Sequence, residues 1–247
     1  IFNFQIDDSS FLWGFGTKVS FKTTGFINGH VREQELADHE KYMAVCKASD
    51  GTAWAFYDNK FGYFENGKLK IISGNLNWLP DSVKQVLTKN VIVGPVVGPL
   101  NKTQLLFFCD NYLYTLDTTN YAFRKVAEVP AFTKMDYRSI LRESERYYWI
   151  TTYGSGIILI DLKENKIYNA PVDSRKFLLY AHMLAPDGAG NFLIPTNKGL
   201  FRINRAHLLK MCLQPEGNLL YEYYDTRNGL KEVEFNGGCL PAYHILP

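Results

Sequence analysis

Few of the features that announce a chemistry are present in this chain. No apolar run in its 247 residues approaches the roughly 20 that cross a bilayer as a helix. No sign of charge dominates: 27 basic side chains are balanced by 25 acidic ones, a net of +2, with no dense Lys/Arg block. That balance excludes a general attraction to nucleic acid or to an anionic membrane. The four cysteines, Cys46, Cys109, Cys212 and Cys239, make no C-x-x-C pair, and none stands at zinc-finger spacing from a histidine. Cys46 and Cys109 lie in apolar runs, where cysteine acts as a small hydrophobe, and an unpaired structural role is expected of all four. The motifs G-x-S-x-G, H-E-x-x-H and G-x-x-x-x-G-K-[ST] do not occur, so hydrolase, metalloprotease and P-loop chemistry have no support. The opening stretch IFNFQIDDSS has neither a charged n-region nor an apolar h-region and is not read as a signal peptide. A mature or excised segment would look the same, so the compartment stays open.

What the chain does have is apolar content (46%), aromatic content (15%) and repetition. Asp187–Asn204, DGAGNFLIPTNKGLFRIN, divides into a Gly-rich turn, a short apolar run, a polar turn with Asn197 and Gly199, and a second alternating run. Two short strands joined by a tight turn is the direct reading. Related stretches occur at Phe11–Phe21, Asp50–Asn66, Leu105–Asp117 and Tyr148–Asp161. Aligned on the start of the apolar run, the anchors are Trp13, Trp54, Leu105, Trp149 and Phe192, spaced 41, 51, 44 and 43 residues apart. Twelve residues after each anchor stand Gly25, Asn66, Asp117, Asp161 and Asn204. Asn and Asp close turns onto their own backbone, so the second landmark supports the first. A period of roughly 40–45 residues with several short strands per unit predicts an all-β fold, a β-propeller.

Taken in order, Ile1–Asp7 alternates apolar and polar residues and suits a strand. His30–Glu40, HVREQELADHE, is charged and lacks strand alternation. It reads as a solvated loop or helical turn, because nothing forces its two histidines and its carboxylates together as metal ligands. Tyr42–Lys47 is the next inner strand, and Lys68–Ile72 the outer strand of that unit. Pro80–Asn90 carries Val83, Val86 and Leu87 at helical spacing. Gly94, Pro95, Gly98 and Pro99 then punctuate a loop or short edge strand. Asn101-Lys102-Thr103 matches the glycosylation triplet, too short a match to carry weight. Tyr137–Leu141 and Ala181–Ala185 are the expected inner strands of the fourth and fifth units. RAHLLKMCLQ reads as a short helix capped by Asn204, with Leu208, Leu209, Met211 and Cys212 on its packing face. Leu219–Tyr224 returns as an outer strand.

With these repeats, Tyr224–Gly238 is the most distinctive text. The chain resembles the two-component regulator propeller repeats of Bacteroidetes-type sensor proteins. Their T-x-x-G-L turn is nearest at Thr196-Asn197-Lys198-Gly199-Leu200. Their terminal N-G-L followed by E-F-N-G appears as Asn228-Gly229-Leu230 and Glu234-Phe235-Asn236-Gly237. The resemblance is strong at 148–161 and 187–238, moderate at 50–73, and weak at 1–30 and 101–130. Leu105 stands where a tryptophan is usual. The resemblance implies a periplasmic sensor part of a larger membrane-anchored regulator. Many such regulators are hybrid histidine kinases that respond to oligosaccharides, and others carry a DNA-binding output domain.

Five blades of four-stranded antiparallel sheet are expected, at about 1–40, 41–90, 91–133, 134–178 and 179–238, with 239–247 as the first strand of a sixth. That last expectation rests on Ala242–Pro247, which parallels Ala181–Pro186. It makes the chain part of a larger ring of about seven blades, whose open faces pairing with another copy would cover.

Ligand candidates are polar residues in turns between second and third strands, where propeller sites converge. They are Asp58, Asn59, Asn111, Tyr153, Asn197 and Lys198, joined by Arg227 and Asn228 between blades. Many of these are also good turn formers. The tryptophans are expected to pack between blades rather than stack on sugars. His182 and His244, on inner strands, read as hydrogen-bonded structure. Asp7-Asp8, adjacent on a strand, point to opposite faces. No catalytic residue, metal ligand or cofactor is implied. The expected partner is a small-molecule or oligosaccharide ligand, with no nucleic-acid contact and with membrane attachment only through flanking segments. A propeller enzyme acting on glycans and a protein-interaction scaffold are the competing readings.

Overall fold

The computed structural model of the chain describes residues 2–7, 10–15, 20–27, 30–35, 43–48, 50–57, 60–65, 68–73, 96–101, 103–109, 112–128 and 136–235. The chain forms two compact units, residues 1–110 with 114–124, and residues 111–113 with 125–247. The described strands make small four-stranded antiparallel sheets, each following chain order from one edge to the other.

Three of these sheets come from residues 2–128. The first is β1 (Phe2–Asp7), β2 (Ser10–Phe15), β3 (Ser20–Ile27) and β4 (His30–Glu35). The second is β5 (Met43–Lys47), β6 (Ala53–Tyr57), β7 (Lys60–Glu65) and β8 (Lys68–Ser73). The third is β9 (Val96–Pro99), β10 (Gln104–Cys109), β11 (Tyr112–Asp117) and β12 (Phe123–Glu128). The remaining sheets are β13 (Asp136–Arg142), β14 (Tyr147–Tyr153), β15 (Ile157–Asp161) and β16 (Lys166–Asn169), then β17 (Ala185–Pro186), β18 (Asn191–Thr196), β19 (Gly199–Asn204) and β20 (Glu222–Tyr224). All five sequence anchors, Trp13 through Phe192, fall in the second strand of their sheet.

The Asn/Asp landmark also does what its chemistry allows. The Asp117 carboxylate accepts from the Thr119 backbone N–H at 2.8 Å, and that of Asp161 from Lys163 N–H at 3.0 Å. Asn204 accepts from His207 N–H at 3.0 Å and so caps α1 (Arg205–Leu213), the helix expected there. Leu208, Met211 and Cys212 are the buried residues of α1.

Three expectations are corrected. His30–Glu35 is strand β4, not a loop or helical turn. It is the last strand of its sheet, and an edge strand accommodates charged side chains that a central strand could not. The inner strand at Ala181–Ala185 is broken, with only Ala185–Pro186 in the ladder and Ala181 in an isolated bridge to Thr196. The register slips by one residue between these pairings, and Pro195 has no N–H to donate to the ladder. The outer strand is shorter than Leu219–Tyr224, covering Glu222–Tyr224 alone. The helix expected at Pro80–Asn90 and the strand expected at 239–247 lie outside the described residues.

Register also corrects the alignment of the repeats. Tyr147 pairs with Asp161, and Asn191 with Asn204. Glu143 N–H bonds Tyr147 O as Asp187 N–H bonds Asn191 O. Trp149 therefore corresponds to Leu193 rather than to Phe192. The difference arises at the hairpin tips, where three residues separate Thr152 from Gly156 but two separate Thr196 from Gly199.

In the second unit, the core lies between β13–β16, β17–β20 and α1. Trp149 and Phe192 are both fully buried and meet edge to face with centroids 6.1 Å apart. Trp149 is thus a packing residue, and its indole N–H donates to the Glu143 carboxylate at 2.7 Å. The same carboxylate accepts from Arg205 Nε at 2.8 Å, which ties the start of α1 to the β13–β14 turn. In the first unit, Trp54 is buried against Tyr63 at 5.4 Å. Cys46 and Cys212 are free and buried, and burial pushes both thiols up to about 12, which leaves them inert at neutral pH. Among the described residues, no helix is long and apolar enough to cross a membrane.

Candidate functional site

The second unit brings two of the sequence candidates into contact. Both follow a buried threonine at a hairpin tip. Thr152 donates its hydroxyl to Gly156 O at 2.8 Å and accepts from Ser155 N–H at 3.1 Å. Thr196 donates to Gly199 O at 2.9 Å and accepts from Lys198 N–H at 3.1 Å. Each hydroxyl closes its turn from inside, and the next residue, Tyr153 or Asn197, emerges from the buried strand. The Asn197 carboxamide nitrogen donates to the Tyr153 hydroxyl at 2.9 Å. Neither residue could have predicted the other, since they lie 44 positions apart.

The third member is His182, only 3% exposed, with Nε2 2.7 Å from the Asn197 carboxamide oxygen. Its backbone is held by N–H to Pro195 O at 3.0 Å, and its carbonyl accepts from the Thr151 hydroxyl at 3.1 Å. The His182 ring lies nearly parallel to that of Tyr153, with centroids 6.4 Å apart. The Tyr180 ring meets Tyr153 edge to face at 4.9 Å. A backbone bridge between Tyr153 and Tyr180 fixes that pair. The Arg138 guanidinium, from β13, stands over the Tyr153 ring at 4.8 Å. Tyr153 and Tyr180 each remain 39% exposed.

The segment that delivers Tyr180 is anchored by a buried carboxylate. Asp173 accepts from Arg175 N–H at 3.1 Å and Leu178 N–H at 2.9 Å, and so shapes the 3-10 turn Phe177–Leu179. Leu179 O then accepts from Gly154 N–H at 2.8 Å and Gly156 N–H at 3.1 Å, which holds this turn against the β14–β15 tip.

The result is an exposed aromatic pair beside a carboxamide, a phenol and a cation. Half-exposed tyrosines offer flat apolar area with a polar end. A carboxamide both donates and accepts. Such a surface can receive a small polar molecule that has an apolar face.

The other candidates are placed differently. Lys198 is exposed, and its carbonyl accepts from the Tyr223 hydroxyl. Arg227 and Asn228 spend their side chains inside their own turn: Arg227 pairs with Asp225 at 2.7 Å, and the Asn228 side chain accepts from Asp225 N–H at 3.0 Å. Asp58, Asn59 and Asn111 lie outside the described residues, as do His244 and Asp8. Sequence reasoning missed Tyr180 and Arg138. Tyr180 lies two residues before His182, and Arg138 lies on an expected inner strand, so position in the repeat could have pointed to both.

No family model matches the chain, and no curated protein sequence matches it. Solved structures do. The extracellular domain of BT4673 from B. thetaiotaomicron, described as a one-component system and in a second crystal as a hybrid two-component system, aligns with a TM-score of 0.58 and 16% identity. The alignment covers 94% of this chain and 29% of the first of those structures. The extracellular domain of the hybrid two-component system BT3049 from the same organism gives a TM-score of 0.56 and 16% identity, over 94% of this chain and 29% of that one. A catalytically inactive virginiamycin B lyase from Staphylococcus aureus, solved with quinupristin, gives 0.53 and 15% identity, over 90% of this chain and 71% of the lyase. The chain spans less than a third of the length of the Bacteroides structures. At this level of identity the likeness carries the fold, and the fold of this chain is a β-propeller type built from four-stranded antiparallel meanders.

Proposed function

We propose that this chain is a ligand-sensing, extracytoplasmic propeller segment of a two-component regulator, that each four-stranded sheet is one blade, and that the ligand is a carbohydrate. The observation that carries the proposal is the contact between Tyr153 and Asn197 on successive hairpin tips, beside the exposed ring of Tyr180. A sugar presents an apolar C–H face and a rim of hydroxyls, which complements a tyrosine ring beside a carboxamide. The fold shared with the extracellular domains of Bacteroides two-component systems supports a sensing role for such a surface. In this reading the segment binds without turnover, works on the periplasmic side of the inner membrane, and pairs with a second copy when the receptor signals.

The test is a glycan array followed by calorimetry on the intact protein, its Tyr153→Ala variant and its Asn197→Ala variant. Binding should weaken by about tenfold or more in each variant, since a tyrosine anchor commonly contributes over a kcal/mol. If the intact protein binds no glycan and its deletion leaves carbohydrate-responsive transcription unchanged, the reading is wrong. Turnover of a glycan in an activity screen would replace it with the enzyme reading.

A further inference from the structure

We infer that His182 is a positioning residue that sets the polarity of the Tyr153 site, so that the site presents a hydrogen-bond donor and selects a ligand group that accepts. This rests on the reading of Tyr153 and Asn197 as ligand-facing residues.

The Asn197 carboxamide oxygen lies 2.7 Å from His182 Nε2, and its nitrogen lies 2.9 Å from the Tyr153 oxygen. A carboxamide oxygen only accepts, so with Asn197 in this orientation Nε2 carries the proton. A carboxamide nitrogen only donates, so the Tyr153 oxygen is the acceptor in its bond to Asn197. The phenol hydrogen is then free to be given away. It is the outermost proton of the chain, on a side chain 39% exposed. Were the carboxamide turned round, Tyr153 would donate inward, and its oxygen would offer an incoming group only lone pairs.

His182 is the only ring in this chain of bonds that can choose between the two arrangements, because its tautomer decides which way Asn197 settles. It is also well held for that task. Its backbone N–H and C=O are both bonded, to Pro195 O and to the Thr151 hydroxyl, and the Thr151 hydroxyl is 2.7 Å from that of Ser139. At 3% exposure the imidazole does not itself reach a ligand. The ligand group that fits the outward phenol proton is a carboxylate, an ether oxygen or a hydroxyl acting as acceptor. An ammonium or a donor-only group is disfavoured.

Two measurements test this on the full chain. The first is nitrogen-15 NMR of histidine-labelled protein at neutral pH. The expected signature for His182 is a protonated Nε2, whether the ring is neutral or an imidazolium, and loss of that preference in Asn197→Leu and Tyr153→Phe. A neutral ring protonated at Nδ1 in the wild-type protein overturns the inference. The second is the glycan array run in parallel on wild type, His182→Gln and His182→Leu. Gln keeps an N–H donor for Asn197, and its glycan profile should survive, while Leu should lose its signals or shift them by tenfold or more. A wild-type profile in a folded His182→Leu protein also overturns the inference. If wild type itself binds nothing on the array, the carbohydrate reading fails, and the tautomer measurement alone decides the polarity assigned here.

Discussion

Two hairpin tips in the second unit are closed by the same residue and differ in what comes next. Thr152 and Thr196 are both fully buried, and each donates to a glycine carbonyl across the tip, that of Gly156 just before β15 or of Gly199 at the start of β19. The residues after them diverge: Tyr153 is large and aromatic, Asn197 small and polar, and they bond each other. The shared threonine serves the fold: its hydroxyl takes up the N–H inside the tip, Ser155 or Lys198, and adds a second donor to a buried glycine carbonyl, which at Gly156 also accepts the Thr152 backbone N–H at 2.9 Å. The divergent neighbour is free of that duty and is where a site can form. The same division holds at the far ends of these hairpins. Asp161 closes a turn and pairs with Arg146, whereas the corresponding Asn204 begins a helix.

Removing the core that both sheets share should have the largest effect. Trp149→Ala is expected to cost about 3–5 kcal/mol, read as a shift in the urea midpoint at constant slope. Leu193, at the corresponding register position but only half-buried, should cost about 1–2 kcal/mol as Leu193→Ala. Equal costs would show that the two positions are packed alike and that the register difference has no energetic meaning.

The glycines of the tips separate next. Gly199 has φ +128°, and a Cβ there would meet Tyr224 O at 2.6 Å. Gly154 has φ +101° with nothing within 4 Å of an added Cβ. Gly154→Ala should cost about 1–2 kcal/mol from the backbone alone. Gly199→Ala should cost that and about 1–3 kcal/mol more from overpacking, with β20 displaced. Thermal unfolding of the two variants side by side checks the ordering.

The far ends of the hairpins differ in charge and therefore in pH response. The Arg146 guanidinium, ahead of the Glu164 and Lys163 backbone N–H groups, holds the Asp161 carboxyl below the usual carboxylate range. The Asn191 side chain, ahead of its backbone N–H, holds that of Asp187 lower still. Each depressed carboxyl stabilises the fold above its unfolded value of about 4, and that contribution disappears as pH falls through the lower folded value. The melting temperature should therefore fall on acidification below about pH 4. Asp161→Asn should melt lower at neutral pH and show a shallower decline in acid. Asn204→Ala should instead cost about 1 kcal/mol, the usual worth of an N-cap, with no change in the acid slope. An unchanged slope in Asp161→Asn would mean that the pair with Arg146 adds nothing in solution.

The smallest effects are expected at the two threonines. Thr152→Val and Thr196→Val each remove one hydroxyl from a buried carbonyl at nearly constant volume, and each should cost about 1–2 kcal/mol. Near-equal values in urea melts would confirm one shared device. A large difference would mean that the network reaching Tyr153 and Asn197 supports one tip and not the other.

Much of this was legible in advance where local chemistry decides. The short alternating runs became strands, the Asn/Asp landmark closed turns, and Asn204 capped a helix, because each needs only a few neighbouring residues. The charged HVREQE stretch was misread because edge position, not pattern, makes it a strand. The inner strand near His182 was overdrawn because its partner contains Pro195, which cannot complete the ladder. Tyr180 and Arg138 were missed, since neither occupies a turn.

By itself, the amino-acid sequence determined the repeat, most of its strands and its turn residues, since these follow from periodicity and from side chains that bond their own backbone. The tertiary structure alone decided that Trp149 corresponds to Leu193, that Thr152 and Thr196 play one part, and that Tyr153, Tyr180, His182 and Asn197 meet. Those facts depend on register and on how neighbouring sheets bring together residues up to 44 positions apart, and no local pattern carries that information.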